Sequence, residues 1–401
     1  MSGGVGLEPV LDLGPMPLAD AFPSAEQLAA PDRCYPLELA FSPHCGLLQI
    51  LETVPATELF CQDYPYYSSV SETLLRHARE SAFELIERRG LGPRSLVVEL
   101  ASNDGYLLRN FVERGVPVLG IDPAAGPARA AGQVGVTTLV EFFTRDLATD
   151  LRGQGRAADV VMANNVLAHV EDTNGFVAGI RTLLREDGLA VIEVPYVRDM
   201  VDYCEYDTIY HEHLCYFSVT ALDVLFRQQG LFLNEVRRLA IHGGSLRLFV
   251  EPRERVGESV RRMLAEEQRD GLDRLAYYAD FGRRVRALRD KLRTLLADLK
   301  RGGATIAGYA AAAKGVVQLN YCGIDASMID YVVDRNPRKQ GRYIPGVRIP
   351  IYAPERLIQS PPDFLLILAW NFKDEIIAQQ AEYARRGGRF IVPVPEPRVL
   401  G

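Results

Sequence analysis

Tyr210-His211-Glu212-His213 sets four side chains that can donate, accept or relay a proton in consecutive positions, with Tyr216-Phe217 close behind. A histidine near its ordinary pKa of about 6.5, oriented by a carboxylate, makes a suitable general base. The spacing is not H-E-x-x-H, so the run does not predict a zinc-protease helix. In an extended segment alternate residues share a face. That puts Tyr210 and Glu212 on one side and His211 and His213 on the other, unless a turn intervenes. The competing reading is a charged surface turn, and the aromatic and aliphatic neighbours argue against full exposure.

A second constellation lies upstream. Val97-Val98-Glu99-Leu100-Ala101-Ser102-Asn103-Asp104-Gly105 reads as a buried strand, an acidic residue and a tight loop opening a helix. Such a loop lets a ligand approach backbone at the carboxyl end of a sheet. Asp122 ends the next strand-like run, where a carboxylate can accept both ribose hydroxyls of an adenosine. There is no G-x-G-x-x-G, so a dinucleotide phosphate cradle is not predicted. The short acidic loop better suits S-adenosylmethionine, whose sulfonium is cationic and which carries no phosphate. The alternative is an ordinary strand–loop–helix turn.

Further candidates follow later strands. Asn164, Asn165 and His169 lie just past the run Asp159–Ala163, with Asn164 able to hold cofactor and the other two able to face substrate. Ala310–Ala313, Lys314 and Gly315 follow Thr305–Tyr309, and can present backbone N–H groups and one ammonium to a phosphate. Close helix–sheet packing explains the alanine run equally well. Arg335, Arg338 and Lys339 follow Ile329–Asp334, and Trp370-Asn371-Phe372 follow Phe364–Leu368.

The elements that must position these groups can be read from periodicity. Residues 1–71 are loop-rich and aromatic with short apolar runs such as Leu47–Leu51, which predicts a small N-terminal cap with a few strands. Residues 72–252 open with a helix, Glu72–Arg89, and continue as strands alternating with helices. This predicts an α/β domain on a parallel, doubly wound sheet. Residues 253–301 are charged, helical and without proline, a connector lacking a clean heptad. Residues 302–401 repeat the βα alternation as a second α/β domain, its first helix expected over Val316–Tyr321.

Composition bounds the rest. At roughly 150 residues per domain, 401 residues predict two or three domains. Hydrophobic residues make up 48% and charged residues 24%, enough apolar surface to build cores. A net charge of −7 argues against a general nucleic-acid or anionic-membrane binder. No apolar run has the length of a spanning helix and the start lacks a leader pattern, so a soluble cytoplasmic protein is expected. No large apolar strip announces a partner, and a monomer is expected. Cys34, Cys45, Cys61, Cys204, Cys215 and Cys322 form no C-x-x-C pair and are expected as reduced thiols.

Taken together, the motifs closely resemble the nucleotide-sugar C-methyltransferases of deoxysugar and antibiotic biosynthesis. The resemblance covers nearly the whole chain. It is carried by Leu7–Gly14, Asp63–Ser71, Val98–Leu108, Asn164–Val170, Tyr210–Ser218, Ile241–Leu248, Gly308–Ile324 and Val332–Pro345, in that order. It implies a zinc-binding N-terminal domain, a central Rossmann-like class I methyltransferase domain that binds S-adenosylmethionine, and a C-terminal Rossmann-like α/β domain that helps hold the nucleotide sugar. The implied substrate is a TDP-linked 4-keto-6-deoxy sugar, methylated on carbon 3. The implied base is His213, assisted by Glu212, Tyr210, His169 and Tyr64. Around the cofactor the expected residues are Glu99, Ala101, Asn103, Asp104, Gly105, Asp122, Asn164 and Ser68. Around the substrate they are Asn165, Tyr66, His242, Lys314, Asn320, Tyr321, Arg335 and Lys339.

In one respect the chain departs from the family. Where the family carries two C-x-x-C pairs, the second reads Ser42-Pro43-His44-Cys45 and the first would lie at or before residue 2. One matching thiolate of four does not make a tetrahedral site, so zinc is not expected and the cap must rest on apolar packing. Two rival readings remain: a sugar isomerase or epimerase using the same base without methyl transfer, and a non-catalytic relative.

Overall fold

The computed structural model describes Gly4, residues 6–60 and residues 66–401. Its strands in chain order are β1 (Glu8–Pro17), β2 (Cys34–Ser42), β3 (Leu47–Ile50), β4 (Val97–Leu100), β5 (Val118–Ile121), β6 (Thr138–Leu139), β7 (Ala158–Asn164), β8 (Leu184–Pro195), β9 (Cys215–Tyr216), β10 (Phe232–Leu239), β11 (Ser245–Glu251), β12 (Ile306–Tyr309), β13 (Tyr331–Val333), β14 (Ile351–Tyr352), β15 (Phe364–Ile367), β16 (Arg389–Val392) and β17 (Arg398–Leu400). They form three sheets: β1-β2-β3-β9, β10-β11-β8-β7-β4-β5-β6 and β14-β13-β12-β15-β16-β17.

The first sheet is antiparallel throughout. Its fourth strand, β9, comes from far along the chain, just after Tyr210–His213. Leu48 pairs with Tyr216 and Gln49 with Cys215. Leu37, Leu39 and Phe41 of β2 are buried, and the Phe41 ring lies 5.1 Å from that of Tyr278. The connector supplies the matching surface. Phe281–Arg301 is one helix with Phe281, Val285, Leu288, Leu292 and Leu296 buried at helical spacing.

The second sheet is mixed rather than wholly parallel. β8, β7, β4, β5 and β6 run parallel, while β10 and β11 are an antiparallel edge pair. β4 reads VVEL and is buried on both faces, as a central parallel strand must be. The helix Glu72–Arg89 covers the sheet with Leu74, Ala78, Ala82 and Leu85. Its start is fixed by Ser71, whose hydroxyl accepts from the Leu74 N–H at 3.3 Å, and its end by Gly90 at φ 60°.

In the third sheet β14, β13, β12, β15 and β16 are parallel and β17 closes the edge antiparallel. Its first helix starts at Ala313 and runs to Cys322, three residues earlier than the sequence predicts. Lys314 therefore sits in a helical first turn, not in a loop.

The βα alternation agrees with the pattern reading, while helix ends differ by a few residues. β9 and β6, two residues each, leave no mark in the hydrophobic pattern, because a pair of residues carries no periodicity. Among the described residues no helix is long and apolar enough to cross a membrane.

Candidate active site

One cavity of about 520 Å³ lies where the carboxyl ends of the two parallel sheets face each other. From the central sheet it is lined by Ala101 and Asn103 after β4, Asp122 to Ala124 after β5, and Asn164, Asn165, Val166, His169 and Val170 after β7. From the third sheet it takes Ala310 to Lys314 after β12, Asp334, Arg335, Asn336 and Lys339 after β13, and Ala369, Asn371 and Phe372 after β15. Strand ends of doubly wound sheets are where such folds bind ligands, and here two of them share one space.

The base candidate is held in one tautomer. His213 Nδ1 lies 2.8 Å from the Thr208 carbonyl, which can only accept, so Nδ1 carries the proton. Nε2 is then a lone pair, and it accepts the Tyr210 O–H at 2.8 Å. Burial, reinforced by neighbouring His169, holds the His213 pKa well below 6.5, so the ring stays neutral. The simple alternation of faces fails because the segment turns, with the His213 N–H donating to the Tyr210 carbonyl at 2.9 Å. Tyr210, Glu212 and His213 all line the cavity. His211 points away and binds the Pro36 carbonyl of β2 at 3.1 Å.

His169 stands edge-on to His213, ring centroids 4.7 Å apart. Burial pushes it down to about 4, and its Nδ1 is buried without a partner. His242, at φ 60° and 5.7 Å from the Phe372 ring, is also pushed down to about 4. Both rings are acceptors at neutral pH, so neither supplies the protonated-His donor that enolate chemistry could use. Glu212 is pushed the other way, up to about 8, by burial and by the charge of Asp20.

The cofactor loop is built differently from its sequence reading. Asp122 Oδ2 accepts the Asn103 N–H and Oδ1 the Ala124 N–H, each at 2.8 Å, which shapes the loop and leaves further lone pairs toward the cavity. Asn103 Oδ1 and Asp104 Oδ2 accept the backbone N–H groups of Ser68 and Ser69 at 3.0 and 3.1 Å. The acidic loop thus clamps the segment that carries Ser68 and Tyr66 over the cavity.

Three expected cofactor residues do not line it. Glu99 lies beneath the loop, its carboxyl pushed well above 4.5 by burial and by Asp122 and Asp104. Asp104 Oδ2 accepts the Ser69 N–H, while its Oδ1 is buried without a partner. Gly105, at φ 76°, is required for packing, since a Cβ there would meet Ala131 and Val134 at 3.1 to 3.2 Å.

Two expected substrate residues are also elsewhere. Asn320 ties the Val316 and Pro345 carbonyls at 2.8 and 3.0 Å. Tyr321 packs on Tyr206, centroids 5.3 Å apart, and under Arg289. Lys314 does face the cavity, donating to Thr208 Oγ1 at 2.6 Å and lying 4.9 Å over the Trp370 ring, whose Nε1–H donates to Asp207 at 2.7 Å. Arg335 and Lys339 line the cavity as well. Tyr64 lies outside the described residues. Sequence reasoning missed Asp20, Thr208 and Glu375. Only tertiary packing brings these to the site.

The residues fit S-adenosylmethionine. Asn164 Oδ1 is buried at the cavity without a partner, ready to accept from an ammonium. Asp122 is placed for ribose hydroxyls, and Pro123, Ala124, Phe142 and Val166 offer apolar surface for a purine.

Three family models match in order: "Putative zinc binding domain" over residues 1–60, "Methyltransferase domain" over 74–236 and "C-methyltransferase C-terminal domain" over 240–395. The chain is 36% identical to the C-methyltransferase NovU of Streptomyces niveus, over 98% of this chain and 94% of that protein. The chain belongs to the C-methyltransferase family. It is an enzyme, and its cofactor is S-adenosylmethionine. Among solved structures, magnesium protoporphyrin IX methyltransferase of Synechocystis with bound SAM aligns at 14% identity and TM-score 0.34, covering 44% of this chain and 78% of that one.

Zinc does not fit the first domain as it stands here. Among the described residues no three His, Cys, Asp or Glu side chains group to hold a metal. Cys45 Sγ bonds Ser42 Oγ at 3.4 Å and is buried, while Cys34 is exposed and turned to the Asp32 carbonyl. The five described cysteines are free thiols, and Cys61 lies outside the described residues.

Proposed function

We propose that this enzyme methylates carbon 3 of a TDP-linked 4-keto-6-deoxy sugar in deoxysugar biosynthesis, through an enolate generated by His213. The observation that carries the reading is the fixed tautomer of His213. Its Nε2, an acceptor held by the Tyr210 O–H, shares a cavity with Asn103, Asp122 and Asn164 on one side and Lys314 and Arg335 on the other.

The residues then act as follows. Lys314 and Arg335 attract the diphosphate of the nucleotide, leaving the sugar beside His213. His213 Nε2 takes the proton from the carbon next to the ketone, and the Tyr210 O–H that Nε2 held turns to the developing enolate oxygen. His169 Nδ1 accepts from a sugar substituent and fixes the ring. When bound, S-adenosylmethionine supplies the sulfonium methyl that the carbon takes up, the ketone re-forming as the neutral thioether leaves. His213 returns its proton to solvent. Holding donor and acceptor carbons in line is the main contribution of the protein.

A ketone at carbon 4 acidifies carbon 3 and carbon 5 alike, so the orientation of the sugar decides the product. The test is mass spectrometry and NMR of a panel of TDP-4-keto-6-deoxy sugars, incubated with enzyme and S-adenosylmethionine in heavy water. A new methyl on carbon 3 is expected. A methyl on carbon 5 would keep the base and overturn the orientation. Deuterium uptake with no methyl would favour isomerisation instead.

A further inference from the structure

The cap sends one carboxylate into the cavity. Asp20 follows β1 at a turn closed by the Ala21 N–H donating to the Leu18 carbonyl at 3.2 Å. Its Oδ1 lies 3.5 Å from Lys339 Nζ. Lys339 is itself fixed, donating to the Ala311 carbonyl at 2.7 Å and lying 4.5 Å over the Phe22 ring. On its other side Asp20 meets Glu212. The backbone amides of Asp20 and of Glu212 itself lie close enough to the Glu212 carboxyl to act on its charge. Glu212 is only 3% exposed, and its Oε2 has no partner.

We propose that Asp20 is a positioning residue: anchored by Lys339, its charge keeps Glu212 in the carboxylic-acid form, so that the Glu212 O–H donates to the keto oxygen of the substrate as the enolate forms. This rests on the enolate reading above. The physical reason is that a buried, half-unpartnered carboxylate beside a second carboxylate is disfavoured twice, and the acid is not. The backbone amides of Asp20 and Glu212 favour the charged form but are outweighed by burial and Asp20, and no cation faces the carboxyl to help them. His213, Tyr210 and Tyr216 on its own segment and His169 after β7 carry no positive charge at neutral pH. Lys339 is spent on Asp20. Burial and Asp20 together raise Glu212 to about 8. Glu212 keeps its proton through the cycle, since the ketone re-forms once the methyl is on carbon. The cap, the central domain and the C-terminal domain each supply one member of this chain of contacts.

The test compares Asp20→Asn, Glu212→Gln and the double variant with the wild-type chain. Asp20→Asn should move the alkaline limb of kcat to lower pH by about one unit or more, with KM for S-adenosylmethionine unchanged. Glu212→Gln keeps an N–H donor, so it should stay within about tenfold of wild type and lose that limb. Adding Asp20→Asn to it should then change nothing. Lys339→Met should move the limb upward.

A second readout needs no substrate. A group raised in the folded state contributes stability that is present below its unfolded pKa of 4.5 and lost as pH rises to about 8. Glu205 and Asp207 are raised as well and contribute to the same loss in every variant, so urea unfolding should show the loss in wild type, a smaller one in Asp20→Asn and the smallest in Glu212→Gln. An unmoved limb and window in Asp20→Asn, or an equal loss of kcat in the Glu212→Gln background, would overturn the proposal. If wild type methylates no keto sugar, the functional reading fails, and the unfolding window still decides whether Asp20 sets the state of Glu212.

Discussion

His213 has one nitrogen committed to a carbonyl and the other committed to a phenol, and that division sets its chemistry. Asparagine can mimic the Nδ1–H donation but cannot take a carbon-bound proton. His213→Asn should therefore lower kcat by about 10² to 10⁴ with cofactor affinity intact, as checked by calorimetry beside turnover. Normal turnover would remove His213 from the role of base. Because burial and His169 hold its pKa well below 6.5, the acid limb of kcat/KM should fall below that value and activity should persist at pH 6. That Tyr210, Glu212 and His213 share one cavity could be read from the chain, since they are neighbours in sequence. Their charge states could not. Those depend on burial by residues as distant as Asp20 and Thr208, which no local pattern records.

Elements decide which candidates reach the cavity. The helix Ala313–Cys322 begins at Ala313, so Lys314 projects from its first turn toward Thr208. Asn320 comes six residues later, rotated by about 240°, on the far side. Tyr321 returns to nearly the same side but about 10 Å further along. The motif thus holds a cavity-facing residue and two packing residues in one continuous run, and sequence alone gives them equal weight. Lys314→Met should raise KM for the nucleotide sugar about tenfold or more with KM for S-adenosylmethionine unchanged, measured by steady-state kinetics. Asn320→Ala should instead leave both KM values alone. It should cost about 1 to 2 kcal/mol in urea unfolding, because the Val316 and Pro345 carbonyls lose their donor. The strand ends at Asp122 and Asn164 were legible because parallel strands announce themselves as short apolar runs.

At the scale of the molecule, apolar packing ties the cap to the rest of the chain. Phe41 packs on Tyr278 of the connector, and Leu37, Leu39 and Phe281 belong with them to one continuous core that runs from the cap into the C-terminal sheet. A metal chelator should therefore leave the thermal midpoint unchanged, as read by calorimetry. Phe41→Ala should cost about 3 to 5 kcal/mol and reduce turnover along with stability. That Ser42-Pro43-His44-Cys45 carries a single thiol was plain in the sequence. The continuous core was not, because it joins residues more than two hundred positions apart.

The strand β9 closes the cap sheet only a residue past His213 and Leu214, in register with Leu48 and Gln49. Modular engineering inherits that stitch. A chimera that exchanges residues 1–60 for those of another family member also exchanges the hydrogen-bonding template against which the catalytic segment is set. Donor caps will graft cleanly only when residues 210–217 travel with them.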